Sequence, residues 1–155
     1  TSMGFTPLEG LLMGTRCGDI DPALVTYMMK KKNLSIEQIE EVLNKESGLK
    51  GISGISNDMR VLENELPKHN KRVSLAFAVF CYRIKKYIGA YCAIMGGVDA
   101  VIFTAGIGEN QHGLKKAICK GIFAHCQKKP KILTIPTNEE LMIARQTFAI
   151  IKKEK

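Results

Sequence analysis

The stretch Asp99-Ala100-Val101-Ile102-Phe103-Thr104-Ala105-Gly106-Ile107-Gly108-Glu109-Asn110 decides how the rest of the chain is read. Its first half is a short, continuous apolar run with no polar face, the pattern of a strand covered on both sides in an α/β sheet. Its second half is a glycine loop, and residues 111–124 beyond it predict a helix. Glycines remove side chains where a ligand must approach the backbone, and the start of a helix offers unpaired N–H groups to an anion. A nucleotide can rest on such a turn, but strand-glycine-helix turns are also plain tight connections. The spacing fits neither the dinucleotide nor the Walker fingerprint: Gly108 and Gly113 are correctly separated, yet Leu114 stands where the Walker lysine belongs. A phosphate cradle of the P-loop type is excluded.

Downstream, residues 131–135 predict a second strand, and Asn138 with Glu139 and Glu140 opens a final helix. Upstream, Val73, Phe77, Phe80, Ile84, Ile88, Tyr91 and Met95 recur at steps of three and four residues, so 71–95 is expected as one long helix. Its aromatics are read as core or interface packing rather than a cofactor box. A short helix is expected at 59–66 and a short strand at 49–53. Ser35 and Gln38 have capping-box spacing for a helix to about residue 44. Asp21-Pro22 supplies an N-cap and a first-turn proline for a helix to about residue 32. The first twenty residues are rich in Gly and Pro without a period and read as an ordered loop region.

Composition sets the class. With 155 residues, 45% hydrophobic and 25% charged, the chain reads as one globular domain able to bury a continuous core. No apolar run reaches the ~20 residues that span a bilayer. Thr1-Ser2-Met3-Gly4 lacks a signal-peptide pattern, so a cytoplasmic location without membrane attachment is expected. The chain opens on a threonine within what already reads as an ordered region, which suggests a fragment. Five cysteines without a CxxC pair argue for free thiols, and the grouping of Cys119, His125 and Cys126 has the wrong spacing for a metal site. The net charge of +8 lies in short clusters at 30–32, 128–131 and 152–155, a solvated surface rather than one stripe for nucleic acid.

Two further places hold chemistry. In Met13-Gly14-Thr15-Arg16-Cys17-Gly18-Asp19 an arginine stands between glycines in an irregular loop, and a planar guanidinium suits a transferring phosphoryl group. In Gly54-Ile55-Ser56-Asn57-Asp58-Met59-Arg60 an acid and an arginine flank a helix start. There Asn57 or Asp58 is either an N-cap beside a surface arginine or part of a ligand site.

Taken together and in order, SMGFTPLEGLLMGTRCGDIDP (2–22), GISGISNDMR (51–60), VDAVIFTAGIGEN (98–110) and IPTNEELMIAR (135–145) resemble the acetate kinase family over nearly the whole chain. The resemblance implies an α/β fold: a ribonuclease-H-like half of the acetate and sugar kinase, heat-shock cognate and actin superfamily. Residues 1–155 then correspond to the C-terminal, nucleotide-binding domain without its N-terminal partner domain. The activity implied is reversible, Mg2+-dependent, in-line phosphoryl transfer between ATP and acetate, giving acetyl phosphate and ADP. A propionate kinase of the same family and a non-catalytic nucleotide-binding or dimerisation module are the alternatives. Carried over, Arg16 matches the arginine that stabilises the transferring phosphoryl group. Asp58, Met59 and Arg60 match the segment beside the adenosine, and Gly106, Ile107, Gly108, Glu109 and Asn110 match the nucleotide loop. Pro7 matches the pocket for the acetate methyl group, and Glu139 a magnesium ligand, although an acid in a first helical turn also stabilises the helix end. The resemblance further implies a homodimer joined through this domain. The asparagine, arginine, aspartate and histidine of the N-terminal half are missing, so nucleotide binding is expected of the chain by itself before phosphate transfer.

Overall fold

A computed structural model describes residues 1–124, 126 and 128–153, and leaves aside the side chains of Asn110 and His112. His125 lies outside the described residues. The element order is α1 (Pro22–Lys32), α2 (Ile36–Lys45), α3 (Gly48–Ser53), α4 (Met59–Glu65), a single 3-10 turn (Leu66–Lys68), α5 (Lys71–Ile94), β1 (Ala100–Phe103), α6 (Ala105–Asn110), α7 (His112–Cys119), β2 (Lys131–Thr134) and α8 (Glu139–Lys153).

Local chemistry accounts for most of the helix starts. Asp21 accepts from the Ala23 amide with Pro22 in the first turn, and α1 ends at Asn33 in the left-handed region. The Ser35 hydroxyl and the Gln38 side chain each accept the other's backbone N–H, a complete capping box. Asn70 accepts from the Arg72 and Val73 amides at the head of α5.

The 24-residue α5 is the hub. Its Val73, Ala76, Phe80 and Cys81 meet Leu12 from the N-terminal loop, Leu49 of α3, Met59 and Leu62 of α4, Phe103 of β1, and Leu114 and Ile118 of α7. Of the aromatic residues of this helix, Phe80 is buried with Phe77 packed against the core, Tyr87 and Tyr91 bond to the N-terminal segment, and Tyr82 is exposed. Burying one such aliphatic or aromatic side chain stabilises the fold by roughly 1.5–3 kcal/mol.

Three expectations are corrected. Residues 49–53 belong to a helix, not a strand. The N-cap residue Ser47 turns its hydroxyl to the Val42 carbonyl instead of capping α3, and the α3 amides of Leu49 and Lys50 donate to the carbonyls of Met13 and Gly14. A tertiary partner caps a helix whose own sequence carries no start signal. Residues 105–110 form a short helix rather than an open glycine loop, and the following helix stops at Cys119, well short of residue 124.

The third correction concerns the sheet. β1 and β2 pair in parallel, Ala100 opposite Lys131 through Phe103 opposite Thr134. Only Phe103 is buried; Ile102 is 53% exposed and every residue of β2 is exposed. A continuous apolar run predicts cover on both faces, but among the described residues only the side bearing Phe103 and Val101 packs on the core, and α8 has no buried residue. No helix among the described residues is long and apolar enough to cross a membrane.

Candidate functional site

Arg16 is presented by an irregular loop that borrows its rigidity. Carbonyls of Met13, Gly14 and Thr15 accept from the amides of Leu49, Lys50 and Ser47, while the Cys17 amide donates to the Leu43 carbonyl. The loop and α3 press together closely enough that Gly48 sits at φ +63°, where a Cβ would lie 2.3 Å from the Met13 carbonyl oxygen. The Arg16 guanidinium donates to Met13 Sδ at 3.8 Å. It opens onto a cavity of about 560 Å³ lined also by Glu37, Glu40 and Glu41 of α2.

The 58–60 segment lies next door, since a Cβ on Gly14 would come within 2.9 Å of the Asn57 carbonyl oxygen. Asp58 is the N-cap of α4, accepting from the Arg60 amide at 2.8 Å. Its Oδ2 also takes the Arg60 Nη2 at 2.6 Å. That guanidinium holds the Asp58 carboxyl below the usual carboxylate range. The two residues thus satisfy the capping role and also form one exposed, zwitterionic edge. Met59 turns the other way and is 1% exposed in the core, so only its backbone faces this edge.

Asp58, Arg60, Gly106, Ile107 and Gln111 line one cavity of about 300 Å³. Two segments far apart in the chain therefore converge, the start of α4 and the first turn of α6. The glycines of the turn divide the work. A Cβ on Gly108 would meet the Phe103 backbone at 3.1 Å, so this glycine lets α6 pack on β1. Beyond its own helix, a Cβ on Gly106 would meet no atom of the described residues within 4 Å, so packing among them does not demand glycine there. Its missing side chain leaves open space in the cavity wall.

The turn is also strained and clamped. Ala105 has φ +59°, a region that costs a non-glycine residue about 1 kcal/mol. Thr137, just ahead of α8, stabilises it. Its hydroxyl accepts from the Ala105 amide at 2.9 Å and lies 2.6 Å from the Thr104 hydroxyl. The Thr137 amide donates to Glu109 Oε1 at 2.9 Å. Glu109, expected at the nucleotide, is thus bound to the protein itself, and the Asn110 side chain lies outside the described residues. Below the turn, Lys115, 9% exposed, reaches Thr134 Oγ1 at 2.9 Å and the Glu109 carbonyl at 3.4 Å. Gln111, which sequence reading passed over, is buried with its amide nitrogen donating to Glu63, 2.8 Å from Oε1. Burial raises the Glu63 carboxyl above its ordinary value.

Other expected residues stand apart. Pro7 is exposed in the first loop, and Glu139 is exposed in the first turn of α8 beside Glu140. Among the described residues no three His, Cys, Asp or Glu side chains sit close enough to hold a metal ion.

Comparison with known proteins decides the family. The model of the acetokinase family matches residues 1–125. This chain belongs to the acetokinase family. It is 47% identical to an acetate kinase of Heliobacterium modesticaldum and 50% identical to one of Halothermothrix orenii, with 98% of this chain but 43% of each relative aligned. The chain thus spans less than half the length of these acetokinase-family relatives.

Among solved structures, Porphyromonas gingivalis acetate kinase superposes with a TM-score of 0.91 at 40% identity, over 97% of this chain and 43% of that one. A propionate kinase from Francisella tularensis gives 0.85 at 38%, over 92% of this chain and 41% of that one. The expected α/β superfamily fold is thereby established, with two strands among the described residues of this chain. The acetokinase-family match contains the arginine loop, the 58–60 edge and the 105–110 turn, while Glu139 lies past it.

Proposed function

We propose that this chain is the C-terminal, nucleotide-binding part of an acetate kinase, and that the cavity between α4 and α6 takes the adenosine of ATP or ADP. The observation that carries the reading is the convergence of Asp58, Arg60, Gly106 and Ile107 on one cavity in a chain half-identical to acetate kinases. At about 300 Å³ the cavity is at the lower end of ligand-sized pockets. The Asp58 carboxylate and the Arg60 guanidinium offer an acceptor and donors to ribose or base, and Ile107 offers an apolar face. Gly108, Glu109 and the backbone of Asn110 support the turn from behind.

In the reaction proposed, a carboxylate oxygen of acetate attacks the γ-phosphorus while the bond to the β-bridging oxygen breaks, giving acetyl phosphate and ADP. Arg16 neutralises charge on the equatorial oxygens of the phosphoryl group, and positioning with charge neutralisation supplies most of the rate in such transfers. Pro7 is assigned to the methyl pocket. A magnesium ion bound with the nucleotide would supply further neutralisation. Glu139 is the residue assigned to hold it, and one protein carboxylate suits an ion that keeps most of its water and phosphate ligands. The rest of the site, a homodimer formed through this part, and a cytoplasmic location complete the proposal.

The Francisella propionate kinase at a TM-score of 0.85 supports a second reading, propionate as the acyl substrate. One methylene in an apolar pocket discriminates by roughly 1–3 kcal/mol, so kcat/KM for the two acids separates them.

The test is Gly106→Leu. A side chain there enters open space, so thermal stability is expected to stay within about 1 kcal/mol of the parent. Calorimetric titration with ADP should lose binding. Unchanged ADP affinity in a folded variant would remove the cavity from the nucleotide site.

A further inference from the structure

Arg16 lies on a loop whose two ends are tied by one side chain. The Asp19 amide donates to the Gly10 carbonyl at 2.9 Å, and the Gly10 amide donates back to Asp19 Oδ1 at 2.7 Å, closing residues 10–19 into a ring. Inside that ring, Gly18 sits at φ +68°, where a Cβ would lie 2.5 Å from the Leu12 nitrogen and 2.7 Å from the Gly10 carbonyl oxygen, so the closure is tight.

The same aspartate ties the ring to α5. Its Oδ2 accepts from the Tyr87 hydroxyl at 2.7 Å, and its backbone carbonyl accepts from Arg83 Nη2 at 2.8 Å. A solvated surface pair would rest on charge alone, and the Arg83 to Asp19 ion contact is long, at 3.9 Å. Here each carboxylate oxygen serves a different element, and charge-assisted bonds of this length are directional. The long helix that organises the core thus holds the base of the arginine loop, while α3 holds its crown.

We propose that Asp19, with Tyr87 and Arg83 of α5, forms a latch that positions Arg16 for phosphoryl transfer. The inference rests on Arg16 being the arginine that meets the transferring group. Asp19, Tyr87 and Arg83 are positioning residues in this scheme: they act through the loop, and a displacement of about 1 Å in a reacting group costs up to about 100-fold in rate.

The test uses the whole protein that carries this chain. Tyr87→Phe removes one hydroxyl from a half-buried site and should leave the fold intact. It is expected to lower kcat about 10-fold with the nucleotide KM changed less than about twofold. Asp19→Asn keeps an acceptor for Gly10 but removes the charge to which Tyr87 donates, and a comparable loss of kcat is expected. In an Arg16→Ala background, itself lower by about 1000-fold, Tyr87→Phe should produce no further loss, because the latch then has nothing to position. Wild-type kcat in both latch variants, or an equal loss in the two backgrounds, overturns the latch. Wild-type kcat in Arg16→Ala alone would instead overturn the role of Arg16, and the latch with it.

Discussion

At the scale of single residues, glycine positions show why identity and environment must be read together. Gly48 has a positive φ and faces the Met13 and Arg16 carbonyls, whereas an added Cβ on Gly89, inside α5, would meet no described atom beyond its own helix within 4 Å. Gly48→Ala is expected to destabilise by about 3 kcal/mol through clash and backbone strain, lowering the melting midpoint by roughly 6–12 °C. Gly89→Ala should stabilise by about 0.5–1 kcal/mol, since it only reduces the freedom of the unfolded helix segment. Thermal melts of the two variants moving in the same direction would contradict the assignment. Tyr87 gives a pH signature. Its bond to the Asp19 carboxylate, with burial and neighbouring charge, pushes its hydroxyl up to about 12. A raised value means stability that is complete below pH 10 and is lost as pH rises toward 12. Tyrosinate absorbance should therefore show one residue titrating about two units late, and Tyr87→Phe should abolish that late step.

Among the elements, helices with their own start signals were legible and those capped by tertiary partners were not. Asp21-Pro22 and Ser35 with Gln38 each mark a start that the structure contains, while α5 was legible from its period alone and its Asn70 cap was not read. Asp58 marks one as well, and Asp58→Ala should cost about 1 kcal/mol through the lost cap. If the 58–60 edge also meets adenosine, the variant loses ADP affinity beyond that stability change; equal ADP affinity in calorimetry would leave Asp58 as a cap only. α3 escaped detection because its orphan amides are satisfied by carbonyls from a loop thirty-odd residues earlier, a pairing that no local window contains. The clamp of Thr137 on Ala105 and Glu109 was invisible for the same reason.

On the scale of the whole molecule, the open face is the main fact. Ile102, Ile132 and Leu133 from the sheet, Ile135 just past it, and Leu141, Met142, Ile143, Phe148, Ile150 and Ile151 from α8, are all more than a third exposed. Monomers rarely leave so many large apolar side chains bare, and a pair of strands alone is marginal. The aligned acetate kinases are more than twice as long as the aligned part, so the rest of the polypeptide is the proposed cover. The chain by itself should bind a hydrophobic dye and show fast amide exchange at 131–134. In the whole protein the dye signal should vanish and exchange there should slow by about 100-fold. Equal exchange in both would mean that something else covers this face.

Periodicity, caps and the ordered motifs determined by themselves the helices with local start signals, the two strands and the family, because each cap, period and motif is encoded within neighbouring residues and the order of the motifs is itself part of the sequence. Tertiary structure alone decided that residues 49–53 are helical, that Asp58, Arg60, Gly106 and Ile107 share one cavity while Met59 enters the core, and that Glu109 answers to Thr137. Those outcomes turn on which distant backbone groups meet once α5 has gathered the core around itself, and burial and hydrogen-bond partners at long range leave no periodic trace in the chain.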